Sequence, residues 1–144
     1  MFNFNLSTQI YRPIKQVFAF ISTPENDIQW QYGTLESTRV SEAPIGLGTF
    51  FRSIGHFMGR RLNGTFEVTE YEPYRKYGFR SLSGAIESET IYSLEMDESS
   101  TRINIFSQTS IGNHFKMDEF IVAKKTKKQT RENLEKLKDV LEAM

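Results

Sequence analysis

Cysteine is absent from the 144 residues. That excludes disulfides, thiolate metal sites and a cysteine nucleophile, and it suits a reducing compartment. Histidine is scarce too, limited to His56 and His114, and two histidines without cysteine at that spacing make no metal site. Neither charge sign is in excess, with 18 basic and 18 acidic residues. A zero balance offers no overall footprint for nucleic acid or an anionic membrane. No run approaches the ~20 apolar residues that span a bilayer. The start, MFNFNLSTQIYRP, lacks the basic-then-apolar order of a signal peptide. A phosphate-cradling glycine motif is missing, since Gly46-x-Gly48 is too short and lies between strands. These absences lead us to expect a cytoplasmic protein with no integral membrane segment, no nucleic-acid partner, no metal and no cofactor.

What is present reads as one domain over residues 1–144. Apolar residues make up 38% and charged residues 25%, ordinary for a globular domain. Twelve Phe and six Tyr exceed what such a domain needs, so we expect aromatic packing or an aromatic-lined pocket. Residues 2–10 alternate as a strand with Phe2, Phe4, Leu6 and Ile10 on one face. Pro13 suits the first turn of a helix carrying Ile14, Val17, Phe18 and Ile21 at helical spacing. Thr23-Pro24 punctuates it, and a second short helix leads to Trp30. From Thr34 to Gly112 strands alternate with turn signals. Asn113 can then cap a final helix to Met144, roughly 48 Å long at ~1.5 Å per residue. The order β-α-α, six strands, α predicts an α+β fold with an antiparallel meander.

Four turns fix a register. Glu98-Ser99 sets Met96 opposite Thr101, Tyr92 opposite Ile105, and Ser88 opposite Thr109. Ser83-Gly84 sets Phe79 opposite Ser88. Glu72-Pro73 sets Phe66 opposite Phe79 and Val68 opposite Tyr77. Met58-Gly59 sets Phe51 opposite Phe66 and Ser53 opposite Gly64. With side chains alternating at period two, nearly all apolar strand residues then share one inward face. Arg52, His56, Arg61, Glu67, Arg80, Glu87, Glu89, Glu95 and Arg102 point outward. One end of the sheet has polar turns. The other carries apolar tips at Phe57-Met58-Gly59, Leu82 to Ala85, and Ile111 to Phe115, which suggests a rim. The inward face is bulky toward the polar end, at Val68, Tyr77, Leu94, Met96, Ile103 and Ile105. Toward the rim it thins to Ser53, Gly55, Gly64, Ser81, Ser88, Thr90, Ser107 and Thr109. The facing helix stripe, Phe120, Ala123, Lys127, Thr130, Leu134, Leu137 and Leu141, thins in its first half. A cavity open at the rim is expected. The alternative is a filled core, with Phe18, Trp30, Phe115 and Phe120 turned into the gap.

Several stretches, taken in order, resemble the START-like superfamily, also called SRPBCC or the birch-pollen-allergen fold. RPIKQVFAFISTPENDIQW resembles its first helix pair with a closing Trp, and APIGLGTFF its glycine-rich loop. MGRRLNGTFEVTEYEP resembles a hairpin strand ending at Pro, and TRENLEKLKDVLEAM the packed end of the long helix. The resemblance covers the whole chain. It implies a helix-grip fold: a bent seven-stranded antiparallel sheet curved around the C-terminal helix, with a cavity between. The family spans lipid and sterol carriers, allergens, polyketide cyclases and dehydratases, and fold alone does not choose among them.

Catalytic candidates are few, and none is assigned. His56 falls on the outward face. His114 lies at the rim near a helix start, where imidazolium is disfavoured. Tyr77 and Tyr92 face inward, either to orient a carbonyl or as core aromatics. Lys127 either meets an acidic head group in the cavity or joins Lys124, Lys125 and Lys128 on a solvated face. KKTKK is weak as a nucleic-acid patch, because Glu132, Glu135 and Glu142 balance it on the same helix. We expect a carrier or sensor of a small hydrophobic molecule, such as a lipid, polyketide or aromatic metabolite. Phe57, Met58, Ala85, His114 and Phe115 would form the rim. Trp30, Phe66, Tyr77, Phe79 and Tyr92 would supply apolar contact, and Ser88, Thr90, Ser107 and Thr109 hydrogen bonds. Ser53, Gly64, Phe120, Ala123 and Lys127 complete the expected lining. The alternatives are a cyclase- or dehydratase-like enzyme, or an interaction module whose apolar rim docks a partner or a second copy as a homodimer.

Overall fold

The computed structural model describes residues 1–84, 86–111 and 118–144. Strand β1 (Phe2–Ile10) leads through Pro13 into helix α1 (Ile14–Ile21), and a 3-10 helix (Pro24–Gln29) ends at Trp30. Strands β2 (Thr34–Arg39), β3 (Phe50–Phe57), β4 (Arg60–Glu72), β5 (Lys76–Ser81), β6 (Ile86–Asp97) and β7 (Ser100–Ile111) follow, then helix α2 (Glu119–Glu142). The strands form one antiparallel sheet in the order β1-β7-β6-β5-β4-β3-β2. This is a meander with β1 closing beside β7, the α+β arrangement that the pattern predicts and the helix-grip fold that the resemblance implies.

Two hairpins pair as the turn chemistry predicts. In the first, Phe51 lies opposite Phe66 and Ser53 opposite Gly64. Its turn, Met58-Gly59, has φ of 52° and 78°, the pair of left-handed residues that a two-residue hairpin turn requires. In the second, Tyr92 lies opposite Ile105 and Ser88 opposite Thr109. The other two registers differ from expectation. Phe79 pairs with Thr90, not Ser88, and Phe66 pairs with Ser81, not Phe79. The cause of the latter lies at Pro73-Tyr74-Arg75, a three-residue connection with Tyr74 at φ 67°, together with a bulge between Val68 and Glu70. Near the rim both pairings slip by two residues, which changes partners and preserves faces. The bulge also brings Tyr71 inward, where its ring meets Phe18 at 5.5 Å.

One cluster forms the core: Ile10, Val17, Phe18, Ile21 and Trp30 pack with Val68, Tyr77, Leu94, Ile103 and Ile105 and with Leu134, Leu137 and Leu141 of α2. Met96, expected inward, is exposed at the polar end of β6, past the point where α2 and α1 cover the sheet. Helix α2 has 24 residues, ~36 Å, and is shorter than expected. Its N-cap is Asp118, whose Oδ1 accepts from the backbone N–H of Phe120 at 2.8 Å and of Ile121 at 3.3 Å. The expected cap, Asn113, lies outside the described residues.

The C-terminal half of α2 is bolted down. Lys138 Nζ donates to the Gln9 carbonyl at 2.7 Å and to Glu142 Oε2 at 2.7 Å. Arg12 donates to the carbonyls of Glu142 and, at 3.0 Å, Met144. At the far edge of the sheet, Glu25 holds β2 by accepting from the Arg39 backbone N–H at 2.8 Å, which covers an otherwise open strand edge.

Candidate functional site

Small side chains on the inner face of β6 and β7 leave room that α2 does not fill. The result is a chamber of about 290 Å³ between sheet and helix. Its floor is aromatic: Phe66, Phe79, Tyr92 and Trp30 line it with Ile86, Ile105 and Leu62. Behind that floor the rings support each other. Phe51 stacks on Phe66 at 5.2 Å, Tyr77 stacks on Tyr92 at 6.1 Å, and Trp30 meets Tyr92 edge-on at 6.2 Å. Trp30 is buried, and its indole N–H finds no acceptor among the described residues. Phe18 and Trp30 thus do turn inward, and the chamber remains beside them.

The polar wall has two sources. Ser88, Thr90, Ser107 and Thr109 come from β6 and β7, and Thr126, Gln129, Thr130 and Asn133 come from α2. The helix groups are partly committed. Thr126 and Thr130 donate to the carbonyls one turn back, at 2.7 Å and 2.9 Å. Gln129 donates to the Tyr32 carbonyl at 2.5 Å, and Asn133 accepts from the Tyr32 backbone N–H at 2.9 Å. The hydroxyls of Thr90, Tyr92, Ser107 and Thr109 make no hydrogen bond among the described residues, so they are available to a guest. A mouth of about 230 Å³ shares Gln31, Phe57, Leu62, Phe66 and Gln129 with the chamber and adds Ser53, Gly55, Gly64 and Asn63.

The sequence-predicted residues distribute as follows. Trp30, Phe57, Phe66, Phe79, Ser88, Thr90, Tyr92, Ser107 and Thr109 line the chamber, and Ser53 and Gly64 line its mouth. Tyr77 is buried behind Tyr92. Met58 lies in an outer groove with Lys125, Lys128 and Phe57. Phe120, Ala123 and Lys127 are turned away from the chamber into a separate groove against Phe2 and Phe4 of β1. Lys127 therefore faces outward. The reason is helix phase: Val122, Thr126, Gln129, Thr130 and Asn133 form the inner stripe, and Phe120 and Lys127 fall outside it. His114, Phe115 and Ala85 lie outside the described residues. His56 is exposed, as its register predicts. Sequence reasoning placed Thr130 and Leu137 on the inner stripe of α2 but missed Thr126, Gln129 and Asn133, although Thr126, Thr130, Asn133 and Leu137 stand at three-and-four spacing.

It also missed Asp27. This side chain is buried, accepts from Ser37 Oγ at 3.2 Å, and has its carboxyl pushed up to about 8, first by burial and then by the Glu25 charge. Burial, with the Asp27 charge second, pushes the phenols of Tyr77 and Tyr92 upward, so both stay protonated donors. Glu25 goes the other way. Burial raises its carboxyl, but hydrogen bonds from Arg39 and its own backbone outweigh this and leave it below the usual range. Among the described residues no group of His, Asp and Glu side chains could hold a metal, and no helix is long and apolar enough to cross a membrane.

The family profile for polyketide cyclase / dehydrase and lipid transport matches residues 1–142. Among proteins of curated function none matches the sequence. The structure is similar to a START superfamily protein from Mycobacterium smegmatis, with TM-score 0.84 at 12% identity over 98% of this chain and 97% of that one. It is also similar to Ara h 8.0201, with TM-score 0.74 at 11% identity over 99% of each chain. A third likeness is to the di-domain ARO/CYC BexL from the BE-7585A biosynthetic pathway, with TM-score 0.75 at 13% identity over 96% of this chain and 46% of that one. At these identities the likeness shows the fold. The profile spans nearly the whole sequence, and the chain belongs to the polyketide cyclase/dehydrase and lipid transport family.

Proposed function

We propose that the protein binds a small, uncharged, oxygen-bearing hydrophobic molecule in the chamber, as a carrier or sensor of an aromatic, polyketide-like or lipid-derived compound. One observation carries this reading. The chamber has an aromatic floor and a hydroxyl-bearing wall, and no charged side chain lines it among the described residues. Burying ~200 Å² of ligand at ~25 cal/mol/Å² is worth about 5 kcal/mol before association costs. The free hydroxyls of Thr90, Ser107 and Thr109 then select a guest with oxygen acceptors. A carboxylate would lose its water there and gain no cation. Titration with 2-naphthol and 2-naphthoate, two probes of one shape and different charge, tests this. The naphthol is expected to bind at least about tenfold more tightly, a difference of ~1.4 kcal/mol. Equal affinities, or no binding by either, would defeat the proposal.

A cyclase- or dehydratase-like activity is the second reading, and Tyr92 is the observation that favours it. Its phenol lines the chamber, carries no hydrogen bond among the described residues, and stays protonated. Such a group can donate to a substrate carbonyl as charge develops on the oxygen. Tyr92→Phe separates the two readings. An enzyme would lose turnover of a polyketide-like substrate by about a hundredfold or more and keep its naphthol affinity. Unchanged turnover removes Tyr92 from any such role.

A further inference from the structure

The total charge of zero conceals a segregated helix. Between residues 119 and 131, α2 carries Lys124, Lys125, Lys127, Lys128 and Arg131 against the single acid Glu119. Glu119 is engaged by the Met1 ammonium. The acids Glu132, Glu135, Asp139 and Glu142 are all in the second half, with Lys136 and Lys138 among them, and of the five first-half cations only Lys128 reaches one of those acids among the described residues, Glu132 at 4.0 Å. Lys124, Lys125, Lys127 and Arg131 make no ion pair among the described residues. The same outer face presents two large apolar side chains, Phe120 at 76% and Ile121 at 48% exposure. Phe120 and Ala123 form an apolar groove of about 330 Å³ with Phe2 and Phe4, and Lys124 and Lys127 line it too.

We infer that the outer face of the first half of α2, with this groove, docks on a bilayer containing anionic phospholipid. A bilayer interface satisfies both halves of the surface. Phe120 and Ile121 enter the boundary between head groups and acyl chains, and the lysines reach the head-group charge along their apolar stems. A soluble polyanion would neutralise the lysines and leave Phe120 and Ile121 in water. The opposite face of the same helix segment lines the chamber through Thr126, Gln129 and Thr130, so docking would hold the chamber wall against the membrane.

Co-sedimentation with vesicles of phosphatidylcholine alone, and with about a third phosphatidylserine, tests the assignment. The protein is expected on the anionic vesicles only, with binding lost as salt rises from about 0.1 M to about 0.5 M. Phe120→Asp and the double variant K124E/K127E should each lower partition by about tenfold. Their thermal melts and 2-naphthol affinity should match the parent, so this result stands or falls apart from chamber binding. Equal partition onto both vesicles, no partition onto either, or variants that bind like the parent would overturn it. Retention by heparin without vesicle binding would overturn it in favour of a soluble polyanion.

Discussion

Asp27 shows how much a single side chain can decide. It lies within electrostatic reach of the neutral phenols of Tyr77 and Tyr92 and of the Glu25 charge, and Ser37 supplies its only side-chain hydrogen bond among the described residues. In the folded protein the carboxyl holds its proton to about pH 8, whereas the unfolded chain releases it near 3.8. The folded state therefore binds more protons in that window, and stability falls as pH rises through it. Asp27→Asn keeps the Ser37 partner and removes the titration. Thermal melts of the two proteins at about pH 5 and about pH 8 should show the parent losing a few kcal/mol, of order one to several, and the variant losing less. Parallel losses would mean that Asp27 ionises normally. Glu25 and Glu142 act in the opposite sense. Both carboxyls are lowered from 4.5, Glu25 by the Arg39 and backbone hydrogen bonds that outweigh its burial, and Glu142 by Lys138 first. Their contribution is present above 4.5 and is lost in acid. Nothing in DIQW announces a buried acid, because a charged residue in a short polar turn reads as exposed.

At the scale of elements, α2 settles what its sequence left open. Two stripes compete in its first half. One contains Phe120, Ala123 and Lys127, and the other Val122, Thr126 and Gln129. Hydrophobicity favours the first through Phe120. The structure selects the second: Val122 is fully buried, and Thr126 and Gln129 line the chamber. The polar inner stripe is why the chamber stays open. Filling it from the helix side tests that account. Thr130→Leu removes a hydroxyl already bonded to the Thr126 carbonyl and projects methyl groups into the void. Naphthol affinity should fall about tenfold or more, with the melting temperature held or raised, since Leu is the better helix former. Unchanged affinity would place the probe elsewhere. Among the strands, the hairpins at Met58-Gly59 and Glu98-Ser99 were legible because two-residue turns leave one register. The other two were not, because a bulge and a longer connection add residues that no local pattern marks.

At the scale of the molecule, a balanced composition coexists with a sorted surface. Eighteen charges of each sign cancel in the total, yet the second half of α2 carries two cations and four acids, and its first half five cations and one acid. Helical geometry then places most of those cations on the face opposite the chamber. Composition excludes only what depends on totals, so the docking surface could be seen only with burial and helix phase known. The sequence by itself determined the element order, the inward face of the sheet, the aromatic floor and the run of small residues on β6 and β7. All of these follow from local period and turn chemistry. Tertiary structure alone decided which face of α2 closes the chamber, where Lys127 and Phe120 point, and that Asp27 is buried. Each of those depends on how separate elements meet, and the phase of a helix against a sheet is fixed by packing at contacts far apart in the chain.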